Sequence, residues 1–202
     1  VLVDIINATG CDKEEVLAIH NRIVWDGKHS EKLMRLSRAH GGASKYSNPK
    51  DFDNTGAINP HEAIFLNKIV RHFNVKTVVE IGTWFGTSAA VMAEACDKVY
   101  TCDINDVYVG TSPKIERYNK HSRKFLKKLV RQGIKADMVF ADGRVKEPKL
   151  IVQLMNRPLF VTHDYKGKQK GYRAIKAMRK AMPGSELYVE GIIAILVGKE
   201  LR

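Results

Sequence analysis

The β-branched run Thr77-Val78-Val79-Glu80-Ile81 ends directly on Gly82-Thr83-Trp84-Phe85-Gly86, and a small-residue segment from Thr87 to Ala95 follows. A short apolar run bounded by a glycine turn is the pattern of a buried parallel strand feeding a helix. Gly82 permits a tight turn and close backbone approach to a ligand, and Gly86 lets the helix start pack close to the strand. The turn is not the G-x-G-x-x-G of a dinucleotide fold, because its spacing is G-x-x-x-G with bulky Trp84 and Phe85 in the middle. Nor is it a phosphate loop, since Gly86-Thr87-Ser88 carries no lysine.

The same alternation runs on through the chain. Pro60 to Phe73 places Ala63, Ile64, Leu66, Ile69, Val70 and Phe73 at helical spacing, with Asn59-Pro60 as the start signal. Strands are expected at Lys98 to Cys102, Lys114 to Tyr118, Asp137 to Ala141 and Leu159 to Thr162. Helices are expected at Ser122 to Arg131, Pro148 to Met155 and Gly171 to Met182. Glu186 to Glu190 and Ile192 to Gly198 read as a closing hairpin. The predicted fold is therefore α/β, a Rossmann-like, mostly parallel sheet with helices on both faces.

Ligands in such sheets bind beyond the carboxyl ends of the strands. The residues there are Glu80 to Gly82, Asp103, Asp142 and His163-Asp164. Asp103 follows the glycine turn by some 20 residues, where an acid in a doubly wound sheet accepts hydrogen bonds from ribose hydroxyls.

At 202 residues the chain has the length of one domain with additions. Residues 1–55 read as an N-terminal helical extension or lid, and residues 56–202 as the main domain. Asp12 and Glu15 have the spacing of a capping box. Val16, Ile19 and Ile23, then Leu33 and Leu36, suggest amphipathic helices, and Gly41 to Ser44 and Asn48 to Gly56 suggest loops. Trp25, Tyr46 and Phe52 are candidates to wall a substrate pocket. An apolar face on these helices would serve a homodimer as well as a lid.

No apolar run reaches the ~18–20 residues of a membrane helix; the longest is Ile192 to Val197. Val1-Leu2-Val3-Asp4 lacks the basic onset of a signal peptide, and a start on Val1 leaves a longer parent chain open. Three cysteines, Cys11, Cys96 and Cys102, without a C-x-x-C pair argue against a disulfide framework or a zinc site, and a reducing cytoplasm is expected.

Taken together, Glu80-x-Gly82-x-x-x-Gly86-x-Ser88 and Asp103 resemble the cofactor signature of class I S-adenosylmethionine-dependent methyltransferases. The lead-in Gly56-Ala57-Ile58-Asn59-Pro60-His61-Glu62 is similar to that of small-molecule O-methyltransferases related to catechol O-methyltransferase. Val139-Phe140-Ala141-Asp142-Gly143-Arg144 and Phe160-Val161-Thr162-His163-Asp164-Tyr165 resemble a bacterial branch acting in secondary-metabolite or sugar modification. The resemblance implies a seven-stranded sheet closing in an antiparallel hairpin under an N-terminal helical cap. It further implies that Glu80, Gly82, Thr83, Gly86 and Ser88 form the methionine end of a cofactor site. Asp103 would bind the ribose, Ile104 would flank the adenine, and His121-Ser122 would contact it. Asp142 and Asp164 would ligate Mg²⁺ beside the acceptor hydroxyl.

Three departures bear on that expectation. The neighbouring third metal position is His163, a soft donor for Mg²⁺. The lysine that serves as base in the catechol enzymes would fall at Val145, and the helix after the second strand is reduced to a segment from Asn105 to Pro113. Metal dependence stays open. Either a divalent ion on Asp142 and Asp164 lowers the acceptor pKa, or His163 acts as general base. The other histidines, His20, His29, His40, His61, His72 and His121, have no ligand spacing and are expected on the surface.

Charge is concentrated in one stretch. Gly110 to Lys180 carries 20 basic against 5 acidic residues, within a net charge of +12 for the chain. Arg117, Lys120, Lys124, Lys127, Lys128 and Arg131 form one stripe, and seven further cations run from Lys166 to Lys180. The Asn/Asp-Pro-Pro-Tyr motif of base-amine methyltransferases is missing, and aromatic interleaving is thin. The expected activity is therefore methyl transfer to a hydroxyl of a small, anionic acceptor. An RNA or DNA methyltransferase, a non-catalytic cofactor-binding protein and an unrelated nucleotide-binding module stay open as alternatives.

Overall fold

The computed structural model describes residues 1–29, 57–166 and 169–201. The first two helices are α1 (Leu2–Ile6) and α2 (Lys13–Lys28), followed by α3 (Pro60–His72). Then come β1 (Thr77–Ile81), α4 (Thr87–Ala95), β2 (Lys98–Asp103), β3 (Ile115–Asn119) and α5 (Ser122–Arg131). The chain continues through β4 (Met138–Ala141), α6 (Pro148–Leu154), β5 (Leu159–Thr162) and α7 (Lys170–Ala181). It closes with β6 (Glu186–Glu190), β7 (Ile193–Val197) and a 3₁₀ turn at Lys199–Leu201. The elements expected from residue 60 onward all form, with ends displaced by a residue or two.

The sheet has seven strands in the order β3-β2-β1-β4-β5-β7-β6. β3, β2, β1, β4 and β5 are parallel, while β7 runs antiparallel to both β5 and β6. Strand order turns back between β1 and β4, which creates the crevice where doubly wound sheets hold ligands.

Alternating side chains fill the two faces, as the period of two along a strand requires. Val78, Met138, Phe140, Ile193 and Ile195 pack with α1 to α4 on one face. Val79, Ile81, Val139, Ala194 and Leu196 pack with α5, α6 and α7 on the other. Ile5 of α1 and Val16 of α2 belong to the first cluster.

Local chemistry accounts for the helix starts. Asn59 and Glu62 form a reciprocal capping box on α3, with Pro60 in its first turn. Asp12 makes only half of one: its carboxylate accepts the Glu15 amide at 3.0 Å. The link from β2 to β3, residues 104–114, contains no helix, in keeping with the shortened sequence there.

His20 departs from the surface position expected for it. It is 3% exposed, and its ring nitrogens bond the Ile58 carbonyl at 2.8 Å and the Asn21 side chain at 3.0 Å. Trp25, a candidate to wall a substrate pocket, is 58% exposed, with its ring 4.1 Å from that of His29 and tilted by 32°. The expected features at Leu33, Leu36, His40, Gly41 to Ser44, Tyr46, Phe52 and Asn48 to Gly56 lie outside the described residues. Among the described residues no helix is long and apolar enough to cross a membrane. All three thiols are unpaired, with Cys96 and Cys102 buried.

Candidate active site

The turn after β1 depends on three residues in left-handed backbone: Gly82 at φ 100°, Trp84 at φ 46° and Gly86 at φ 94°. The Gly82 and Thr83 amides both donate to the Cys102 carbonyl, at 2.9 and 3.2 Å, tying the turn to the end of β2. A Cβ on Gly82 would lie 3.0 Å from the Asp142 carbonyl carbon and the Gly143 nitrogen. Glycine here is what lets the ends of β1 and β4 meet. Gly86 serves a different neighbour from the one expected: a Cβ there would strike the Tyr108 ring at 2.4 Å.

Behind the turn lies a sealed polar knot. The Glu80 carboxylate is fully buried and accepts hydrogen bonds from the Ser88 and Thr101 hydroxyls. Thr101 has one hydroxyl proton, so with that proton on Glu80 the Thr83 hydroxyl donates to Thr101 in turn. Burial pushes the Glu80 pKa up to about 7, against the two hydroxyl hydrogen bonds and with help from the Asp142 and Asp103 charges.

In front of the turn is a cleft of about 630 Å³. Gly82 and Gly143 form its floor, Asp103 and Ile104 one side, and His121 and Ser122 another. Asp103 anchors two amides, accepting from Trp84 at 3.0 Å and from Asn105 at 2.8 Å. Lys120, Arg123, Lys124, Arg144 and Lys146 also line the cleft. Of the residues expected at a cofactor, Gly82, Asp103, Ile104 and Ser122 thus line one cleft. Glu80, Thr83, Gly86 and Ser88 lie behind it as its support.

A second cluster sits at the ends of β4 and β5, one residue from the cleft floor. Asp142, His163 and Asp164 each present a ligand atom, all within 4.8 Å of one another. His163 Nδ1 is 3.2 Å from Asp142 Oδ1 and 3.4 Å from Asp164 Oδ1. Its Nε2 faces Glu62 Oε2 at 3.1 Å, an ionic contact without hydrogen-bond alignment. Burial works against a charge on this imidazole, but the carboxylates of Asp142 and Glu62 prevail and push its pKa up to about 10. Both ring nitrogens of His163 thus face carboxylates.

Two members of the cluster were not expected there from the sequence. Glu62 appeared only as the end of the lead-in motif, with nothing to suggest a partner after β5. Lys170, the first residue of α7, brings Nζ to 2.7 Å from Asp142 Oδ1 and 3.1 Å from Asp164 Oδ2. Burial opposes its charge, but the two carboxylates raise its pKa.

A family model described as O-methyltransferase matches residues 45–148. The chain belongs to the O-methyltransferase family. Solved structures agree at the level of fold. A Klebsiella pneumoniae protein assigned as an O-methyltransferase superposes with TM-score 0.61 at 14% identity, over 89% of this chain and 90% of that one. A Bacillus cereus O-methyltransferase in complex with SAH gives 0.56 at 12% identity, over 83% and 91%. TomG, a Streptomyces achromogenes O-methyltransferase involved in tomaymycin synthesis and solved with SAM, gives 0.55 at 18%, over 84% and 91%. No curated protein matches the chain significantly. In this O-methyltransferase, the matched region includes the β1 turn, the cleft and Asp142, while His163, Asp164 and Lys170 lie beyond it.

Proposed function

We propose that this O-methyltransferase binds S-adenosylmethionine in the cleft bounded by Gly82, Asp103 and Ser122, and methylates a hydroxyl of a small, anionic acceptor. The reading rests on one observation: a glycine floor, a strand-end carboxylate and an exposed isoleucine converge on one cleft beside the Asp142–Asp164 cluster. The cleft, about 630 Å³, lies within the ~300–1,000 Å³ usual for small-molecule sites. Its bare Gly82–Gly143 floor admits a ligand close to the backbone.

Asp103 binds the ribose hydroxyls. Each of its oxygens already takes one amide and keeps acceptor capacity for another donor. Ile104, 58% exposed, offers an apolar surface to the adenine, and Ser122 offers a hydroxyl at its edge. Bound S-adenosylmethionine supplies an electrophilic methyl whose in-line transfer neutralises the sulfonium charge, so positioning gives much of the acceleration.

The acceptor hydroxyl loses its proton to Asp164 as the new oxygen–carbon bond forms. Asp164 is the more open carboxylate of the pair, its side chain 32% exposed against 13% for Asp142. His163 has both ring nitrogens turned to carboxylates and presents none to a hydroxyl. It acts instead as a fixed positive neighbour to the oxygen that gains charge. The five cations around the cleft favour an anionic acceptor, because S-adenosylmethionine is itself positively charged and does not call for them.

Calorimetric titration of S-adenosylhomocysteine into the protein tests the cofactor assignment. Binding is expected, and its absence at saturating concentrations overturns the reading. Methylation assays with hydroxyl compounds bearing and lacking a carboxylate then test the acceptor class. RNA retained in their place, with affinity falling steeply as salt rises, would transfer the basic rim to a nucleic acid.

A further inference from the structure

The cluster of Asp142, His163 and Asp164 has the spacing of a metal site, yet the groups around it do not fit a divalent ion. Mg²⁺ requires near-octahedral oxygen coordination at ~2.0–2.1 Å. Here Asp142 Oδ1 already faces Lys170 Nζ at 2.7 Å and His163 Nδ1 at 3.2 Å. The same ammonium reaches Asp164 Oδ2 at 3.1 Å, so one lysine nitrogen spans both carboxylates. His163 has turned both ring nitrogens to acids, leaving no free donor for an ion. We infer that the Lys170 ammonium is the resident cation of the Asp142–Asp164 pair, in the position a divalent ion would take, and that methyl transfer here needs no metal.

The position of Lys170 is set by the backbone. The next residue, Gly171, packs so closely on the end of β5 that a Cβ would meet the His163 carbonyl oxygen at 2.2 Å. That contact fixes the start of α7 against the cluster, and Lys170 is its first residue. A cation in the first helical turn is disfavoured by the helix dipole. No acidic side chain in that turn relieves it, so the compensation comes from the two aspartates across the sheet. Lys170 acts as a positioning residue, holding Asp164 beside the acceptor and balancing the negative charge of the pair.

The inference rests on the methyltransferase reading, but its test does not. Mn²⁺ alone is titrated into the wild-type protein and into Lys170→Met, with free ion followed by electron paramagnetic resonance. Wild type is expected to bind only at millimolar concentrations. Lys170→Met should bind at least about tenfold tighter, within the ~10–100-fold range by which groups around a metal site alter affinity. Asp142→Asn in the Lys170→Met background should abolish the gain, and Lys170→Arg should restore wild-type behaviour. Lys170→Gln replaces the methionine variant should the latter fail to show a cooperative melt. Micromolar Mn²⁺ binding by wild type overturns the inference. So does equal affinity in the two proteins, measurable or not.

S-adenosylhomocysteine titrations with chelator separate this failure from that of the parent reading. No binding with either chelator or Mn²⁺ removes the cofactor assignment and leaves the metal comparison standing. Binding that requires the ion overturns the role of Lys170 and leaves the cofactor assignment intact.

Discussion

The Asp103 carboxylate accepts the Trp84 amide at 3.0 Å, so the residue that ends β2 also holds shut the turn that follows β1. Trp84 is in left-handed backbone, a conformation that a bulky side chain adopts only when the surroundings enforce it. The Asp103 hydrogen bond is one such constraint, and the Cys102 carbonyl supplies another through the Gly82 and Thr83 amides. On the proposed function, cofactor recognition and turn geometry share one carboxylate.

Replacing that carboxylate should show both functions at once. Asp103→Ala is expected to weaken S-adenosylhomocysteine binding about 10–150-fold, the loss of one charge-assisted hydrogen bond at ~1.5–3 kcal/mol. Asp164→Ala should leave that affinity within a factor of about two and abolish turnover. Calorimetry on both variants, with a methyl-transfer assay, checks the division. Equal losses of cofactor affinity would count against it.

Gly82→Ala tests the meeting of β1 and β4. The backbone at φ 100° is strained for alanine, and the new Cβ would press on main-chain atoms of Asp142 and Gly143 at 3.0 Å. Strain of ~1–3 kcal/mol is expected. At about 2–4 °C per kcal/mol for a chain of this size, thermal melting should fall by several degrees. An unchanged melting temperature would show that the turn relaxes without the close approach.

Glu80 should make stability depend on pH. Its pKa is about 7 in the folded protein against 4.5 for the free side chain. Below pH 4.5 both states are protonated and the buried acid's full contribution is present. Between 4.5 and 7 the unfolded chain ionises first, so stability falls as pH rises, and the loss is complete above 7. The difference is on the order of 3–4 kcal/mol at ~1.4 kcal/mol per pH unit. Urea unfolding of wild type and Glu80→Gln from pH 4 to 8 isolates the effect. The stability difference between the two should change across that window and flatten above it.

Gly27→Ala sets two effects of opposite sign against each other. Alanine in a helix is favoured over glycine by ~1 kcal/mol. Its methyl, however, would lie 2.4 Å from the Phe85 ring, which is buried at 1% exposure in the turn before α4. Overpacking of this kind costs ~1–3 kcal/mol, and a ring held on all sides cannot step aside. A net destabilisation is expected, read as a lower melting temperature and faster proteolysis within residues 1–29. A rise in melting temperature would show that α2 docks more loosely than the contact implies.

Much of the fold was legible because its signals are local. The apolar run at Thr77–Ile81, the Asn59-Pro60 start of α3 and the apolar spacing of Phe125, Leu126 and Leu129 each declare an element from neighbouring residues. Strand ends follow from the same reading, and with them the rim where Asp103, Asp142 and Asp164 gather. His20 was misread for the complementary reason. Nothing beside it in sequence announces the Ile58 carbonyl, 38 positions away, that satisfies its ring.

By itself the sequence determined which residues stand at the strand ends, since hydrophobic periodicity and glycine turns act over a few residues. Only the tertiary structure decided which of them face the cleft. Glu80, Thr83 and Ser88 carry cofactor-motif positions, yet the packing of α4 on β1 and β2 turns their polar atoms onto one another behind the cleft. Glu62 belongs to the lead-in motif and Lys170 to the basic stretch, and neither was read as a site residue, yet α3 and α7 deliver them to His163 and Asp142. Charge acts through space rather than along the chain, so the sign and balance of the site were set when those two helices docked.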